Sequence, residues 1–354
     1  MTSLTIMTWN VENLFLPDAH ASAAAKQRFA SKLAALAAVI DQQQPDVLAL
    51  QEIGPDGALA ALQNAMATAM PHAVEGLPGS RGIRVAFLSR LPFTSSQQLK
   101  AFPPMLRPVQ ERDPIFDNPA TPSDEALSAE MTRGGLEVTV SLDGTAVTLI
   151  NAHFKSKLIS YARKNGVVGG KQFLPNDEGE RYRYAAYALF SRTGDAITIR
   201  DRVNALLAPD SSPDHPGEGM GRQKAVIVCG DLNDVPSAAT TQILQGPAGS
   251  EIGTAAFASP DAGDGYRLWN LAPLLNLSAD GDPPAEPPFS RRFKGRDELI
   301  DHIFASHRLV HPGHLPQART VVGPAALPSV TEIPSERASD PASDHAALVA
   351  TFRL

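Results

Sequence analysis

The stretch GDLND, which begins at Gly230, places acidic and amide side chains directly after the apolar run AVIVC. An apolar run of this kind predicts a buried strand, so Asp231 and Asn233 are expected at its carboxyl end. A single Asp or Asn beside a glycine is most often a turn residue, because its side chain bonds to its own backbone. The stretch therefore indicates chemistry only if similar residues converge on it from elsewhere in the chain.

Polar residues follow predicted strands at several other places. In open α/β sheets the crevice outside the strand ends is the usual binding site, so residues far apart in sequence could meet there. These residues are Asn10 after LTIMTW, Glu52 after VLALQ, His153 after VTLINA, Asp301 within LID, and Asp344 with His345 just before the last predicted strand.

Among these residues, Asn10, Glu52 and Asp344 offer only hard oxygen ligands. These three suit Mg²⁺ or Mn²⁺ and suit zinc poorly, because zinc prefers nitrogen and sulfur. Carboxylates that lie within a few ångströms of one another repel, so without a cation some would stay protonated near neutral pH. A divalent ion can polarise a phosphoryl oxygen and lower the pKa of a water molecule. The sequence therefore predicts a magnesium or manganese site.

The elements that must position these residues are strands interspersed with helices. LTIMTWNV, VLAL, RVAFLSR and AVIVC predict strands, and LEVTV and AVTLINAHF predict a hairpin joined by Asp143-Gly144. Helices are predicted after the first strand, from about Ala58 to Met70, and over much of Glu178 to Leu207. The segment GDPPAEPPFSRRFKGRDE is predicted to be a flexible, partly basic loop.

Composition limits the class of protein. The chain has 354 residues, of which 43% are hydrophobic, and a formal net charge of -7. This charge argues against a protein that coats nucleic acid through bulk electrostatics, although a local basic cleft stays possible. The single cysteine, Cys229, is predicted to be a core residue. Because the sequence has no signal-peptide pattern and no apolar stretch of the ~20 residues that a membrane span needs, we expect a cytoplasmic protein without membrane contact, with a secreted protein as the alternative if a signal was removed.

Taken in order, these stretches resemble the endonuclease/exonuclease/phosphatase superfamily, which includes DNase I-like nucleases, inositol-polyphosphate phosphatases and neutral sphingomyelinases. The resemblance is carried by TWNVENLF, LALQEIG, NAHFKSK, GDLND, ELIDHIF and SDHAAL. It implies an α/β fold, a four-layer sandwich of two packed mixed β-sheets flanked by helices. It also implies a single domain over residues 1–354, with a proline-rich insertion at about residues 101–130.

The resemblance further implies roles for the residues at the strand ends. Glu52 is similar to the family's principal metal-binding glutamate, with Asn10 and Asp344 completing or supporting the metal region. Asp231 matches the aspartate that orients or activates the attacking water, and Asn233 matches the asparagine that positions the phosphate.

The histidines also match the family's pattern. His345 resembles the catalytic histidine, and Asp301 resembles the partner that fixes its tautomer and favours its protonated form. His153 resembles the second histidine of the DNase I-like branch, which stabilises the phosphate charge or protonates the leaving group. In that branch this histidine has a carboxylate partner, whose counterpart no motif identifies here. The identity of the general base stays open.

Substrate class depends on peripheral residues. Lys155 and Lys157 come shortly after His153, which predicts that they contact the substrate, although a solvated surface is an equal alternative. Arg133, in MTRGGLEV, offers a bidentate fork for a phosphate, and an ordinary surface arginine is the alternative. Arg292 lies in the basic run RRFKGR and could grip a polyanion.

We therefore expect a divalent-metal-dependent phosphodiesterase, a nuclease that hydrolyses DNA or RNA by metal-assisted attack of water. Its partner would be nucleic acid or another phosphate ester, and no obligate protein partner is evident. A phosphomonoesterase or small-molecule phosphodiesterase of the same fold is the alternative. A catalytically silent binding protein is the second alternative.

Overall fold

The computed structural model describes residues 2–79, 82–113, 127–159, 161, 173–209, 219–246, 265–322, 329–330 and 342–354. Strands and helices follow one another along the chain, with the helices placed between strands of the two main sheets. In chain order they are β1 (Ser3–Leu14), α1 (Ala23–Gln43), β2 (Val47–Ile53), α2 (Ala58–Ala65), β3 (His72–Glu75), β4 (Arg84–Ser89), β5 (Phe93–Ala101), β6 (Val109–Gln110), β7 (Leu127–Ser128), β8 (Glu130–Leu142), β9 (Thr145–His153), α3 (Glu178–Leu207), β10 (Ala225–Asp231), α4 (Ala239–Gln245), β11 (Leu268–Asn270), β12 (Arg291–Phe293), β13 (Arg296–Glu298), β14 (Asp301–Ser306), β15 (Gln317–Val321), β16 (Ser329–Val330) and β17 (Ala347–Arg353).

Two mixed sheets form the centre of the molecule. In the described residues, the first sheet has the strand order β15-β17-β1-β2-β4-β3 and the second has the order β11-β14-β10-β9-β8-β5. Each sheet contains one parallel pair, β1 with β2 and β9 with β10, between antiparallel neighbours. The parallel pairs bring the carboxyl ends of four central strands to the same edge of the sandwich.

The side chains of β10 show how the layers are built. Ile227 and Cys229 belong to the core between the two sheets, whereas Val226 and Val228 pack with residues of α3 and α4 on the other face. This alternation follows from the two-residue period of a strand, and an uninterrupted apolar run results because both faces are covered. On the opposite side, α1 and α2 pack against the first sheet. The predicted four-layer sandwich is confirmed.

Two buried amides join the sheets close to the strand ends. Gln51 of the first sheet donates through Nε2 to Oδ1 of Asn151 in the second sheet (2.7 Å) and to the hydroxyl of Thr8 (3.0 Å). Asn151 in turn donates to the backbone oxygens of Leu50 and Ala86 (both 2.9 Å). Because these bonds cross an otherwise apolar interface, a shift of one sheet past the other would leave buried polar groups unpaired.

Two local elements differ from their predictions. Helix α2 ends at Ala65 rather than near Met70, because the carboxylate of Asp41 accepts the backbone N–H groups of Ala67 and Thr68 and draws the chain out of the helix.

The segment predicted as a flexible basic loop contains the hairpin β12–β13, which Lys294 and Gly295 close with positive φ angles of 48° and 75°. A Lys-Gly turn is a weaker hairpin signal than Asn-Gly or Asp-Gly.

The hairpin predicted at Asp143-Gly144 is confirmed, since β8 and β9 pair from Leu142 and Thr145 outward. In the proline-rich insertion, β6 and β7 pair with each other, and residues 114–126 lie outside the described part of the chain. Within the described residues, no helix combines the length and apolar character that a membrane crossing demands.

Candidate active site

The strand register of the second sheet lines up three of the predicted site residues. Asp231, the last residue of β10, is paired with His153 at the end of parallel β9 and with Asp301 at the start of antiparallel β14. All three are almost fully buried, with exposed fractions of 2%, 2% and 0%. The motifs NAH, GDLND and LID therefore each contribute one side chain to a row across three adjacent strands.

The first sheet contributes Asn10 and Glu52 through irregularities in its strands. The register between β1 and β2 shifts after Asn10, and the register between β2 and β4 shifts after Leu50. Such bulges re-aim side chains near active sites. Glu52 has a φ of 62°, a sparsely populated conformation for a residue other than glycine, and its Oε2 accepts the backbone N–H of Asn13 (2.9 Å).

Asn10 connects the two halves of the site. Its Nδ2 donates to Oδ2 of Asp231 (2.9 Å), and its backbone oxygen accepts the hydroxyl of Ser343 (2.6 Å). Ser343 Oγ also accepts the backbone N–H of His345 (3.0 Å). The carboxyl end of β1 thus holds both the central carboxylate and the segment SDH near the end of the chain.

The glycine of GDLND is required by the close approach of two strands. A Cβ atom added to Gly230, whose φ is 135°, would lie 1.9 Å from the backbone oxygen of Ala152 in β9. Asn233 also has a positive φ of 54°, and its backbone N–H donates to Oδ1 of Asp231 (2.9 Å). The side chain of Asn233 donates to the backbone oxygen of Phe154 (3.1 Å). These bonds fix the turn that presents both side chains.

His345 and Asp301 form a buried pair. His345 Nδ1 lies 2.7 Å from Oδ2 of Asp301, so Nδ1 carries the proton because a carboxylate only accepts. Burial disfavours the charged imidazolium, but the negative charges of Asp301, Asp344 and Asp231 and the bond to Asp301 outweigh this effect and raise the pKa of His345 to about 10. The imidazolium of His345 therefore places a positive charge beside Asp231.

His153 is contacted by a guanidinium group. Nη1 of Arg133 lies 2.9 Å from Nε2 of His153 and 2.6 Å from the backbone oxygen of Phe154. Because Arg133 cannot give up its proton, Nε2 accepts this bond and the imidazole is neutral with its proton on Nδ1. The same Nε2 lies 3.4 Å from Asp231 Oδ2 and 3.9 Å from Glu52 Oε1.

The cluster holds an excess of negative groups suited to a cation. Asp231, Asp301 and His345 offer ligand atoms within 4.8 Å of one another. Burial and the negative charge of Asp301 raise the pKa of Asp231. Oδ1 of Asp301 is buried and has no hydrogen-bond partner among the described residues. This donor set shares no residue with the predicted metal set of Asn10, Glu52 and Asp344, and two of its members, Asp301 and His345, are drawn together by their own hydrogen bond.

Lys155 and Lys157 use their ammonium groups within the protein. Nζ of Lys155 donates to the backbone oxygens of Ser156 and Leu158 (3.1 and 3.0 Å), and burial beside the positive charges of Arg133 and Arg192 lowers its pKa to about 8.

Nζ of Lys157 pairs with Oδ1 of Asp234 (3.0 Å). That either lysine contacts substrate stays a prediction.

Arg292 lies on the hairpin β12–β13, whose base is attached to the site. Its neighbour Arg291 forms an isolated antiparallel bridge with His345. Arg292 stacks over the ring of Phe289 (5.2 Å) and pairs through Nε with Asp297 (2.7 Å). The structure thus brings the basic hairpin beside the buried row.

Several residues that fasten the site were not identified from the sequence. Asn151 lies two residues before His153, so strand alternation alone would have placed it on the same face. For the others, sequence offers no comparable signal, since their roles depend on distant partners. They are Gln51, Ser343, Asp195, Asp234 and Arg192, together with Ser290, whose hydroxyl accepts the backbone N–H groups of Ile300 and Asp301.

The fold and site define an α/β sandwich with a buried acidic centre, and comparison with known families identifies its class. The model of the Endonuclease/Exonuclease/phosphatase family matches residues 7–345. The chain belongs to this family, whose members are generally hydrolases of phosphate esters. Among curated proteins, no sequence matches.

Solved structures share the fold at low identity. Truncated TDP2 from Caenorhabditis elegans is 15% identical, with a TM-score of 0.50 over 99% of this chain and 98% of that one. The human Nocturnin catalytic domain with bound sulfate is 16% identical, with a TM-score of 0.53 over 99% and 93%. An endonuclease/exonuclease/phosphatase from Bacteroides vulgatus is 11% identical, with a TM-score of 0.52 over 100% of both chains.

Proposed function

We propose that this protein is a divalent-metal-dependent phosphodiesterase that hydrolyses nucleic acid by attack of water. The observation that carries the proposal is the row of His153, Asp231 and Asp301, completed by His345 and joined to the other sheet through Asn10. Carboxylates, an amide, imidazoles and a guanidinium meet at one edge, which is the set of groups that hydrolysis of a phosphate ester needs.

The buried carboxylates fit a divalent cation. The unpartnered Oδ1 of Asp301 and the pKa of Asp231, which burial and the charge of Asp301 raise, indicate that ionised carboxylates are costly here without a cation. We assign Glu52, Asn10 and Asp344 as the residues that would hold Mg²⁺ or Mn²⁺, with Asp231 and Asp301 beside them. When bound, such an ion supplies charge stabilisation for the phosphoryl and leaving oxygens.

The remaining residues act on water and phosphate. We assign Asp231 to orient the attacking water and Asn233 to position a phosphate oxygen, because the same turn presents both. The imidazolium of His345, which Asp301 holds in place, supplies a positive charge for the phosphate, as the raised pKa of His345 supports. Arg133 supplies a second one, since its guanidinium is held in the site by His153 and Phe154.

The basic hairpin favours a polymeric substrate. Four cationic residues lie between positions 291 and 296, and aromatic rings of Phe289 and Phe293 lie beside them. Cations track a phosphate backbone, and aromatic and guanidinium planes stack on bases. A phosphomonoesterase or small-diester hydrolase remains the second candidate, because the buried site itself does not depend on the hairpin.

The experiment is hydrolysis of plasmid DNA, a short single-stranded RNA and bis-p-nitrophenyl phosphate in EDTA, Mg²⁺ or Mn²⁺. Metal-dependent cutting of a polymer is expected, and Asp231→Asn should reduce it by at least about 100-fold. Asp56→Asn, an exposed acid-to-amide change, is the matched control and should leave activity unchanged.

Cleavage of the small diester alone would favour the second candidate. No hydrolysis of any substrate with either metal would contradict the proposal and favour a binding protein.

A further inference from the structure

The peptide that follows His153 is held by an unusual number of site residues. The backbone N–H of Phe154 donates to the backbone oxygen of Asp231 (2.9 Å). The backbone oxygen of Phe154 accepts both Arg133 Nη1 (2.6 Å) and Asn233 Nδ2 (3.1 Å). The backbone of Phe154 is therefore hydrogen-bonded to Arg133, Asn233 and Asp231. Its position determines where Arg133 and Asn233 present their remaining donors.

The next residue, Lys155, is fixed from the helical layer. Its backbone N–H donates to Oδ2 of Asp195 (2.8 Å), and its backbone oxygen accepts Nη1 of Arg192 (3.2 Å). Asp195 and Arg192 lie one helical turn apart on α3. Helix α3 thus holds the peptide of Lys155 by both of its polar groups, and through that peptide it holds Phe154.

Asp195 is costly to keep at this position. It is fully buried at 0% exposure, and its Oδ1 has no hydrogen-bond partner among the described residues. Burial raises its pKa to about 7, although the bond from Lys155 and the positive charge of Arg133 oppose this rise. A buried acid that a neutral side chain could replace at lower cost indicates a role other than stability.

The charge of Asp195 also faces the site. Arg133 and Lys155 interact electrostatically with this carboxylate, and Glu111 lies near enough to raise its pKa further. Arg133 is only 9% exposed, and it contacts His153. Asp195 therefore interacts electrostatically with the guanidinium that we assign to the phosphate, and it bonds to the residue after Phe154, whose backbone oxygen accepts that guanidinium.

We propose that Asp195 is a positioning residue for the hydrolysis proposed above: through Lys155 and Phe154 it holds Arg133 and His153 in the geometry that the transition state requires. This inference rests on the proposed function. Asp195 acts through the orientation of other groups, so its loss should lower kcat more than it changes KM.

The test compares Asp195→Ala and Asp195→Asn with Glu137→Ala. Glu137 is a matched control because it is also buried and also joins α3 to the second sheet, through both oxygens to Arg202 (2.6 and 2.7 Å), but it contacts none of the assigned site residues. Asp195→Asn keeps an acceptor for the Lys155 N–H. The readouts are kcat and KM on a substrate that the wild type cleaves, and amide hydrogen exchange of a peptide containing residues 154 and 155.

We expect Asp195→Ala to lower kcat by about 10- to 100-fold with little change in KM, since displacement of site groups by about 1 Å can cost that much. Asp195→Asn should recover kcat to within about 3-fold, and exchange at Phe154 and Lys155 should increase in the alanine variant alone. Glu137→Ala should lower Tm without changing kcat.

The inference is overturned if Asp195→Ala behaves like Glu137→Ala, losing Tm but not kcat, or if exchange at residues 154 and 155 is unchanged. Absence of hydrolysis in the wild type contradicts the proposed function instead. In that case the exchange measurement still decides whether Asp195 orders this peptide.

Discussion

Two basic segments lie beside the candidate site and use their charges differently. In the segment after His153, the ammonium groups of Lys155 and Lys157 bind backbone oxygens and Asp234. In the hairpin β12–β13, Arg291 and Lys294 lie over the ring of Phe293, and Arg292 is only partly screened by Asp297. In the first segment both ammonium groups bond to protein acceptors, although the Lys157 side chain is 48% exposed, whereas the hairpin exposes Lys294 and Arg296 near its turn.

The difference teaches that closeness in sequence to a catalytic histidine does not determine what a lysine does. Lys155 is adjacent to the buried row, so its ammonium group must find hydrogen-bond acceptors within the protein. The hairpin is bridged to His345 at Arg291 and pairs through β12 with β16, and Lys294 and Arg296 near its turn are exposed. We infer that the inner segment aligns the reacting groups and that the hairpin grips the polymer.

The largest expected effect comes from Arg133, which the inner segment holds in place. Arg133→Lys removes the planar fork and should reduce kcat/KM by about 100-fold on both polymer and small diester, because one donor aimed at developing charge is worth that much. Steady-state kinetics on both substrates measures this. Arg202→Lys, at the partly buried ion pair with Glu137, is the control because neither residue is assigned to the site. A loss below about 3-fold would remove Arg133 from the phosphate site.

The outer hairpin should affect the polymer alone. The double variant Arg292→Gln with Arg296→Gln should raise KM for the polymer by about 10-fold and flatten its salt dependence, because each lost phosphate contact lowers the slope by about 0.7 to 0.9. Hydrolysis of bis-p-nitrophenyl phosphate should not change. The exposed pair Lys26→Gln with Arg28→Gln on α1 is the matched control. Equal losses on both substrates would contradict the division between aligning and gripping segments.

Asp195 should make stability depend on pH. Its pKa is raised from 3.8 in the unfolded chain to about 7 in the folded protein, so its ionisation disfavours folding increasingly as pH rises from about 4 to 7. Asp195→Asn cannot ionise. The Tm of this variant in EDTA should therefore exceed that of the wild type at pH 8 by at least about 3 °C, with a smaller difference at pH 5. A difference that does not vary with pH would show that Asp195 does not titrate in this range.

Lys157 should give the smallest effect. Its pair with Asp234 has a lysine side chain that is 48% exposed, and exposed pairs contribute little. Lys157→Gln should leave kcat/KM within about 3-fold and Tm within about 2 °C of the wild type. If KM for the polymer instead rose by more than about 10-fold, the inner segment would also grip substrate.

Much of the fold could be predicted because its signals are local. The apolar run AVIVC alternates between the two cores as a doubly covered strand must, and Asp143-Gly144 closes a hairpin by its backbone preference alone. Signals that depended on distant partners were missed: α2 ends early, and Asp41, from another helix, accepts the N–H groups of Ala67 and Thr68 just beyond its end. The basic hairpin was predicted as a loop because Lys-Gly carries little turn preference.

The sequence by itself determined which residues lie at the strand ends. An apolar run predicts a strand, and the acids and amides that follow the run can be identified directly from the sequence. Only the tertiary structure decided that Asp231 lies between His153 and Asp301, that Arg133 contacts His153, and that Lys155 turns inward. The physical reason is that each of these contacts joins elements whose relative position depends on strand register and sheet packing. A buried acid such as Asp195 has no local pattern at all, because its role is set by a peptide 40 residues earlier in the chain.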